Sequence, residues 1–417
     1  MRISLNPRRA HLLKMDCVLF SGLLFLTLSD AFAQNPIQPL GKGDWSTPPY
    51  VTLSQRDAAY VNALPVLGTV EWTLEPLDFI EAGPTAGISG AAFVHRDGAL
   101  YLAGGFIPEG DETDEPSRRT SRWVFRYDME KRQWQKLPNM PGRKEYTRGI
   151  AHSSGTYIVG GLCQKFTAEG YSGASPDVFH LVESRSGPRW EIHSQLTVPR
   201  THPSAGAIGS RLIVAGGNEY LVDKTKGIMG LDIRTMRDTV EVFDLEAPDL
   251  GWQSKQAIPG GPRGWAGSSA VGERFYLFGG IKLARRKDGK TVRMKLNDAL
   301  SYDPQRDAWI QHESMPFFLS GWEGATLRNR YVILVGGVEA EKISAEKMAQ
   351  HTWNDIVFAY DTEQDRWLRL EGLTPPGGVY NDPGVVVVGD TIYVVGGEGP
   401  RGSHFDHFLT GKINIAE

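Results

Sequence analysis

Cysteine is almost missing. Cys17 and Cys163 are the only two in 417 residues, too few for the disulfide framework of a small secreted scaffold. The apolar run "VLFSGLLFLTL" (Val18–Leu28) falls short of the ~20 residues a membrane-spanning helix needs. Neither sign of charge dominates: 45 Lys+Arg against 49 Asp+Glu leave a formal net charge of -4. That balance argues against nucleic acid or an anionic membrane as a general partner. No cysteine or histidine spacing matches a zinc site and no calcium loop is present, so no metal and no cofactor are expected.

Arg2, Arg8, Arg9 and Lys14 precede the apolar run, and Ala31-Phe32-Ala33 follows it as a small-x-small cleavage pattern. The expectation is a signal peptide over residues 1–33, cut near Ala33, and an exported chain that is periplasmic or secreted. The Arg8-Arg9 pair leaves twin-arginine export open. The mature chain then keeps Cys163 alone, so its stability must come from a packed core. Residues 34–69 read as a lead-in segment and 70–417 as one folded domain.

Glycine and tryptophan are abundant, at 48 and 11 residues. Many of the glycines fall into a repeat. Short apolar segments end in Gly104-Gly105, Gly160-Gly161, Gly216-Gly217, Gly279-Gly280, Gly336-Gly337 and Gly396-Gly397, recurring at intervals of roughly 60 residues. In four units a Tyr-Asp or Phe-Asp pair follows, then a tryptophan: "FRYDMEKRQW" to Trp134, "EVFDLEAPDLGW" to Trp252, "LSYDPQRDAW" to Trp309 and "FAYDTEQDRW" to Trp367. The second unit keeps Trp190 without the pair. Apolar stretches this short, bounded by Gly, Pro and Asp, read as strands.

Gly-Gly, Tyr-Asp and Trp in that order resemble the kelch repeat, over nearly the whole chain after residue 70. The resemblance implies an all-β, six-bladed kelch-type β-propeller of four-stranded antiparallel blades. The last unit lacks a tryptophan strand, and "VEWTLEP" (Val70–Pro76) carries Trp72 ahead of the first Gly-Gly. The expectation is that this N-terminal strand joins the C-terminal blade and closes the ring.

In such a propeller the loops after each Gly-Gly and those leading into each first strand share one face. Their polar and aromatic residues converge on the axis: Arg143, Arg148, Arg200, His202, Arg263 and Trp265, then Trp322, Glu323, Tyr380, Asn381 and Asp382. Each arginine has an equal reading as a tie between blades. As a set, guanidinium groups with Trp and Tyr suit a small anionic sugar or glycan. The basic segment Lys282–Lys295 reads either as a solvated flap or as a recruiter of that anion. Glu398 directly follows a Gly-Gly pair, where burial would raise its pKa and fit it for general acid-base work, with His404 as partner. Asp406 reads as structural.

Parts of the chain also resemble the exported N-acetylneuraminate epimerases, or sialic acid mutarotases. The carriers are "IPGGPRGWAGSSAVGERFYLFGGI" (Ile258–Ile281) and "GEGPRGSHFDHF" (Gly397–Phe408), whose order looks cyclically permuted. The resemblance implies anomer exchange by proton transfer, with Glu398 as proton acceptor and His404 or an arginine-bound water as its counterpart. The substrate-binding set it implies is Arg143, Arg200, His202, Arg263, Trp265, Trp322, Tyr380 and Arg401. His404 stands where that family has an arginine, and Arg401 comes three residues earlier. Two alternatives stay open: a non-catalytic propeller that binds glycan or protein, and a glycoside hydrolase or lyase pairing Glu398 with Glu219 or Glu323. The oligomeric state is not legible.

Overall fold

A computed structural model of the chain describes residues 58–77, 87–107, 120–163, 166–167, 170–171, 173–185, 187–219, 221–223, 228–230, 233–285, 287, 291–339, 352–372, 381–399 and 404–415. All of these lie in one compact unit, Lys42–Glu417. The expected signal peptide lies outside the described residues, as do Tyr380 and Arg401. Among the described residues no helix is long and apolar enough to cross a membrane.

The protein is all-β, in a propeller-like arrangement. Four separate four-stranded sheets come first in the chain, each an antiparallel meander. The first comprises Ala92–Arg96, Ala99–Ala103, Val124–Asp128 and Gln133–Lys136. Apart from three two-stranded hairpins, the remaining strands form one nine-stranded sheet. Within it, the run from Ser320–Leu327 to Arg366–Glu371 is joined to the run from Gly384–Val388 to His407–Ile415. Where six separate sheets are expected, two are fused, and one strand causes it. From Gly68 to Pro76, Val66–Pro76 pairs antiparallel with His407–Ile415, Trp72 opposite Gly411. Its start also pairs parallel with Arg366–Glu371, Val66 opposite Arg369. The N-terminal strand thus joins the C-terminal sheet as expected.

The innermost strands are Ala92–Arg96, Arg148–His152, Ser204–Ile208, Gly267–Val271, Ser320–Leu327 and Gly384–Val388. Each contacts the next, and the last contacts the first. Just before each of these strands, or at its start, one residue has left-handed backbone: Gly90, Tyr146, His202, Trp265, Gly321 and Asp382, with φ between 47° and 70°. Their backbones are hydrogen-bonded in a circle. The amide of Gly90 donates to the carbonyl of Asp382 (3.0 Å), Asp382 to Gly321 (2.8 Å), Gly321 to Trp265 (2.9 Å), Trp265 to His202 (3.4 Å) and His202 to Tyr146 (2.9 Å). The amide of Thr147 closes the circle on Gly90 (3.3 Å). Such strained backbone persists because neighbouring segments over-determine it.

The repeat residues do local work. Asp128, Asp244, Asp303 and Asp361 accept backbone amides of the turn that follows. The tryptophans pack sheet against sheet. Trp72, Trp134, Trp190, Trp252, Trp309 and Trp367 each belong to a different apolar cluster. Three of the indole N–H groups reach back to a carbonyl before their own unit: Trp190 donates to Pro138 (2.8 Å), Trp309 to Gln256 (3.0 Å) and Trp367 to Glu313 (3.0 Å). Broad apolar area with one polar tip suits that boundary.

Candidate functional site

Side chains at the six left-handed positions divide the axis unequally. Tyr146, His202 and Trp265 stack in series, with ring centroids 4.0 Å and 3.9 Å apart. The other three positions are Gly90, Gly321 and Asp382, which leave room. At Gly321 a Cβ would lie 1.7 Å from Oδ1 of Asn381, so only glycine lets Asn381 sit where it does.

Two residues beyond each left-handed position, the innermost strands carry Ala92, Arg148, Ser204, Gly267, Glu323 and Gly384. Small residues are expected there, because six strands crowd one axis. Gly324, the next residue, shows the pressure: its Cβ would be 2.7 Å from the carbonyl oxygen of Ser268. Against that rule stand Arg148 and Glu323. They face an axial cavity of about 70 Å³, lined also by Phe93, Ala205, Ser268 and Gly384.

Nη2 of Arg148 lies 2.5 Å from Oε1 of Glu323 and 4.0 Å from Oδ1 of Asp382. Nε2 of His202 lies 4.0 Å from Oδ2 of Asp382. None of these contacts is a well-directed hydrogen bond. Nε and Nη2 of Arg148, Oε1 of Glu323, Oδ1 of Asp382 and Nε2 of His202 are all buried with no hydrogen-bond partner among the described residues. Nδ2 of Asn381 joins two carboxylates, donating to Oδ2 of Asp382 (2.8 Å) and Oε2 of Glu398 (3.3 Å). Asn381 and Glu398 also exchange backbone hydrogen bonds (2.9 and 2.6 Å).

Burial governs the ionisation of this cluster. It pushes Glu398 up to about 7, and the Asp382 charge adds to the rise against the Asn381 hydrogen bond and Arg293. Burial likewise pushes Glu323 up to about 7; Arg148 opposes and Asp382 reinforces the shift. Asp382 rises to about 6 by burial, opposed by Arg148, Lys295 and Asn381. His202 is held well below its usual value by burial and by the charges of Arg148 and Arg293. Carboxyls that titrate near neutrality can both give and take a proton. Arg293 comes from the basic segment, which folds as a hairpin of Ile281–Arg285 and Thr291–Lys295.

The other residues expected at the site are placed as follows. His404 is cross-strand to Glu398; its Nδ1 is 2.8 Å from Oγ of Ser89, and its ring stacks on Phe106. Arg143 donates to the carbonyl of Thr120 (2.7 Å). Arg200, fully buried, pairs with Glu241 and donates to the carbonyls of Gly216 (2.9 Å) and Thr239 (3.1 Å). Arg263 donates to Asp298 (2.6 Å), Pro259 (2.8 Å) and Gly279 (3.3 Å). Trp322 is buried in an apolar cluster and donates to the carbonyl of Phe278 (3.3 Å). Trp265 packs on His202. The structure therefore brings Glu398, His202 and Trp265 toward Arg148, Glu323, Asn381 and Asp382, and engages Arg200, Arg263 and Trp322 within the sheets. Arg293 and Lys295 entered the sequence reading only as part of the basic segment Lys282–Lys295, a solvated flap or a recruiter of the anion. Glu219 pairs with Arg237. Among the described residues no group of three or more His, Cys, Asp or Glu is placed to hold a metal ion.

Comparison with known proteins adds to this geometry. Residues 88–141 match the family described as Kelch motif. The N-acetylneuraminate epimerase of Escherichia coli O9:H4 (strain HS) is 27% identical over 191 residues, covering 39% of this chain and 50% of that protein. The one from Shigella sonnei (strain Ss046) is 26% identical over the same coverage. The chain thus spans about half the length of these relatives. Kelch-like protein terF of Aspergillus terreus is 23% identical over 354 residues, covering 79% of this chain and 72% of that protein. The chain carries a kelch motif and is similar, at low identity and over part of its length, to N-acetylneuraminate epimerases and a kelch-like protein.

Proposed function

We propose that this chain is an exported sugar-acid mutarotase on a six-bladed kelch propeller, interconverting the anomers of a sialic-acid-like substrate by proton transfer at the axis. The circle of six left-handed residues and the six tryptophan clusters support six blades, with Val66–Pro76 completing the last. The observation that carries the activity is Glu398. It sits partly buried at the axis beside Asp382, with a carboxyl that titrates at about 7. Anomer exchange needs a group that takes the proton of the anomeric hydroxyl and one that protonates the ring oxygen. Arg293 and the basic hairpin favour an anionic substrate. The epimerase relatives favour sialic acid, and the leader-like residues 1–33 favour export.

The test is proton NMR of the purified chain with a freshly dissolved single anomer of N-acetylneuraminate at mildly acidic pH, where spontaneous exchange is slow. Accelerated exchange that is lost in Glu398→Gln and kept in Lys131→Ala is expected. No acceleration over buffer overturns the reading and leaves a binding propeller. A second reading, glycoside hydrolysis, is favoured by the proximity of Glu323, Asp382 and Glu398; release of free sugar from a sialoside would establish it.

A further inference from the structure

The Arg148–Glu323 pair stands at a place where the equivalent residues are Ala92, Ser204, Gly267 and Gly384. Charge there needs a reason beyond stability, since a buried ion pair is seldom worth more than the apolar residues it replaces. Arg148 is only 8% exposed, and its one hydrogen bond within the cluster runs from Nη1 to its neighbour Thr147 (3.1 Å). Arg148 and Glu323 both line the axial cavity; Nη2 of Arg148 is held by the ion pair with Oε1 of Glu323, and among the described residues its Nε has no hydrogen-bond partner. A buried guanidinium with an open N–H beside a carboxyl on the cavity wall suits an occupant that accepts from one and donates to the other. Water can do so; a carboxylate carrying a hydroxyl on the adjacent carbon matches both groups at once, with its two oxygens against a guanidinium fork.

We propose that the axial cavity is a binding site for an α-hydroxy carboxylate, Arg148 taking the carboxylate and Glu323 the hydroxyl. A cavity of about 70 Å³ has room for a two-carbon acid end. On the mutarotase reading, which this assignment deepens, that end is the acid group and the anomeric carbon with its hydroxyl. Glu323 then takes the hydroxyl proton, the carbon–oxygen double bond forms, and the bond to the ring oxygen breaks. The ring oxygen takes its proton from the Asp382–Glu398 pair joined through Asn381. Rotation and reversal of the same steps deliver the other anomer and return both protons. Glu323 takes here the place expected for Glu398 as proton acceptor, and the Asp382–Glu398 pair that expected for His404.

The experiment is titration of the full chain with glycolate, acetate and ethylene glycol, followed by calorimetry and by competition in the exchange assay. Glycolate is expected to bind at least tenfold more tightly than acetate, with ethylene glycol not binding. Arg148→Lys should weaken glycolate by tenfold or more with the unfolding midpoint nearly kept. Ala205→Val, which fills the cavity without touching the ion pair, should abolish binding even if Arg148 variants fail to fold. Glycolate no tighter than acetate, or binding unchanged in both variants, overturns the site. Glycolate binding as expected without anomer exchange removes the mutarotase reading and keeps the site. Exchange that is indifferent to Arg148→Lys and Glu323→Gln removes the site and keeps the mutarotase.

Discussion

Glu323 and Glu398 hold their protons more tightly folded than unfolded, since burial raises each from 4.5 to about 7. Between those values the folded chain binds more protons than the unfolded one, so stability falls as pH rises through the window. His407 runs the other way: burial lowers it from 6.5 to about 3. Its contribution is present above the unfolded value and is lost as pH falls toward 3. Urea midpoints measured from pH 3 to 8 should therefore pass through a maximum on the acid side of neutrality. Glu323→Gln and Glu398→Gln should each flatten the fall between pH 5 and 7; a curve that keeps its slope in both variants contradicts the assignment. Glu398→Gln should also slow anomer exchange by about 10²–10⁴-fold, read by the NMR assay.

At the scale of elements, one tie recurs from sheet to sheet. Nζ of Lys144 donates to the carbonyl of Gly160 (2.6 Å), Nη1 of Arg200 to Gly216 (2.9 Å), Nη1 of Arg263 to Gly279 (3.3 Å) and Nδ2 of Asn354 to Gly336 (2.7 Å). Each binds the first carbonyl of a Gly-Gly pair, where the chain leaves its strand and would otherwise lose a buried hydrogen bond. Arg200→Met would strip Glu241, itself fully buried, of its cation. It should cost about 3–5 kcal/mol in chemical denaturation, against about 0–1 kcal/mol for the exposed Arg306→Ala. Equal costs would mean that Arg200 is not a tie. Gly321→Ala tests the loop at the axis. Its positive φ and the close approach of Asn381 should cost about 1–3 kcal/mol, and displacement of Asn381 should lower the exchange rate beyond any loss of folded protein.

For the whole molecule, we expect closure of the ring to rest on Val66–Pro76. It covers the outer edge of His407–Ile415 and seats Trp72 against Gly411. Without it that edge presents unpaired backbone groups, a template for association with other chains. A chain beginning at Leu77 should unfold at lower urea and form oligomers in sedimentation. In the full chain, amides of Val66–Pro76 and His407–Ile415 should exchange with solvent together, as one cooperative unit. A truncated chain that remains monomeric with an unchanged midpoint would show that closure does not depend on this strand.

What the sequence determined alone is whatever repeats. Gly-Gly, Tyr-Asp and Trp perform local tasks, a strand exit, a turn and a sheet-to-sheet contact, so their spacing reports the architecture and even the donated strand with Trp72. Glu398 was legible for the same reason, standing next to a Gly-Gly pair. The arginines were not. Arg200 and Arg263 lie two residues before a left-handed position and turn into the sheets; Arg148 lies two residues after one and turns into the axial cavity. In sequence all three simply follow a proline-rich turn. Only the closed circle of backbone hydrogen bonds decides which side of the strand meets the axis, and that circle joins residues from six different units. Tertiary structure therefore chose Arg148 and Glu323, because their environment is made by strands far from them in the chain.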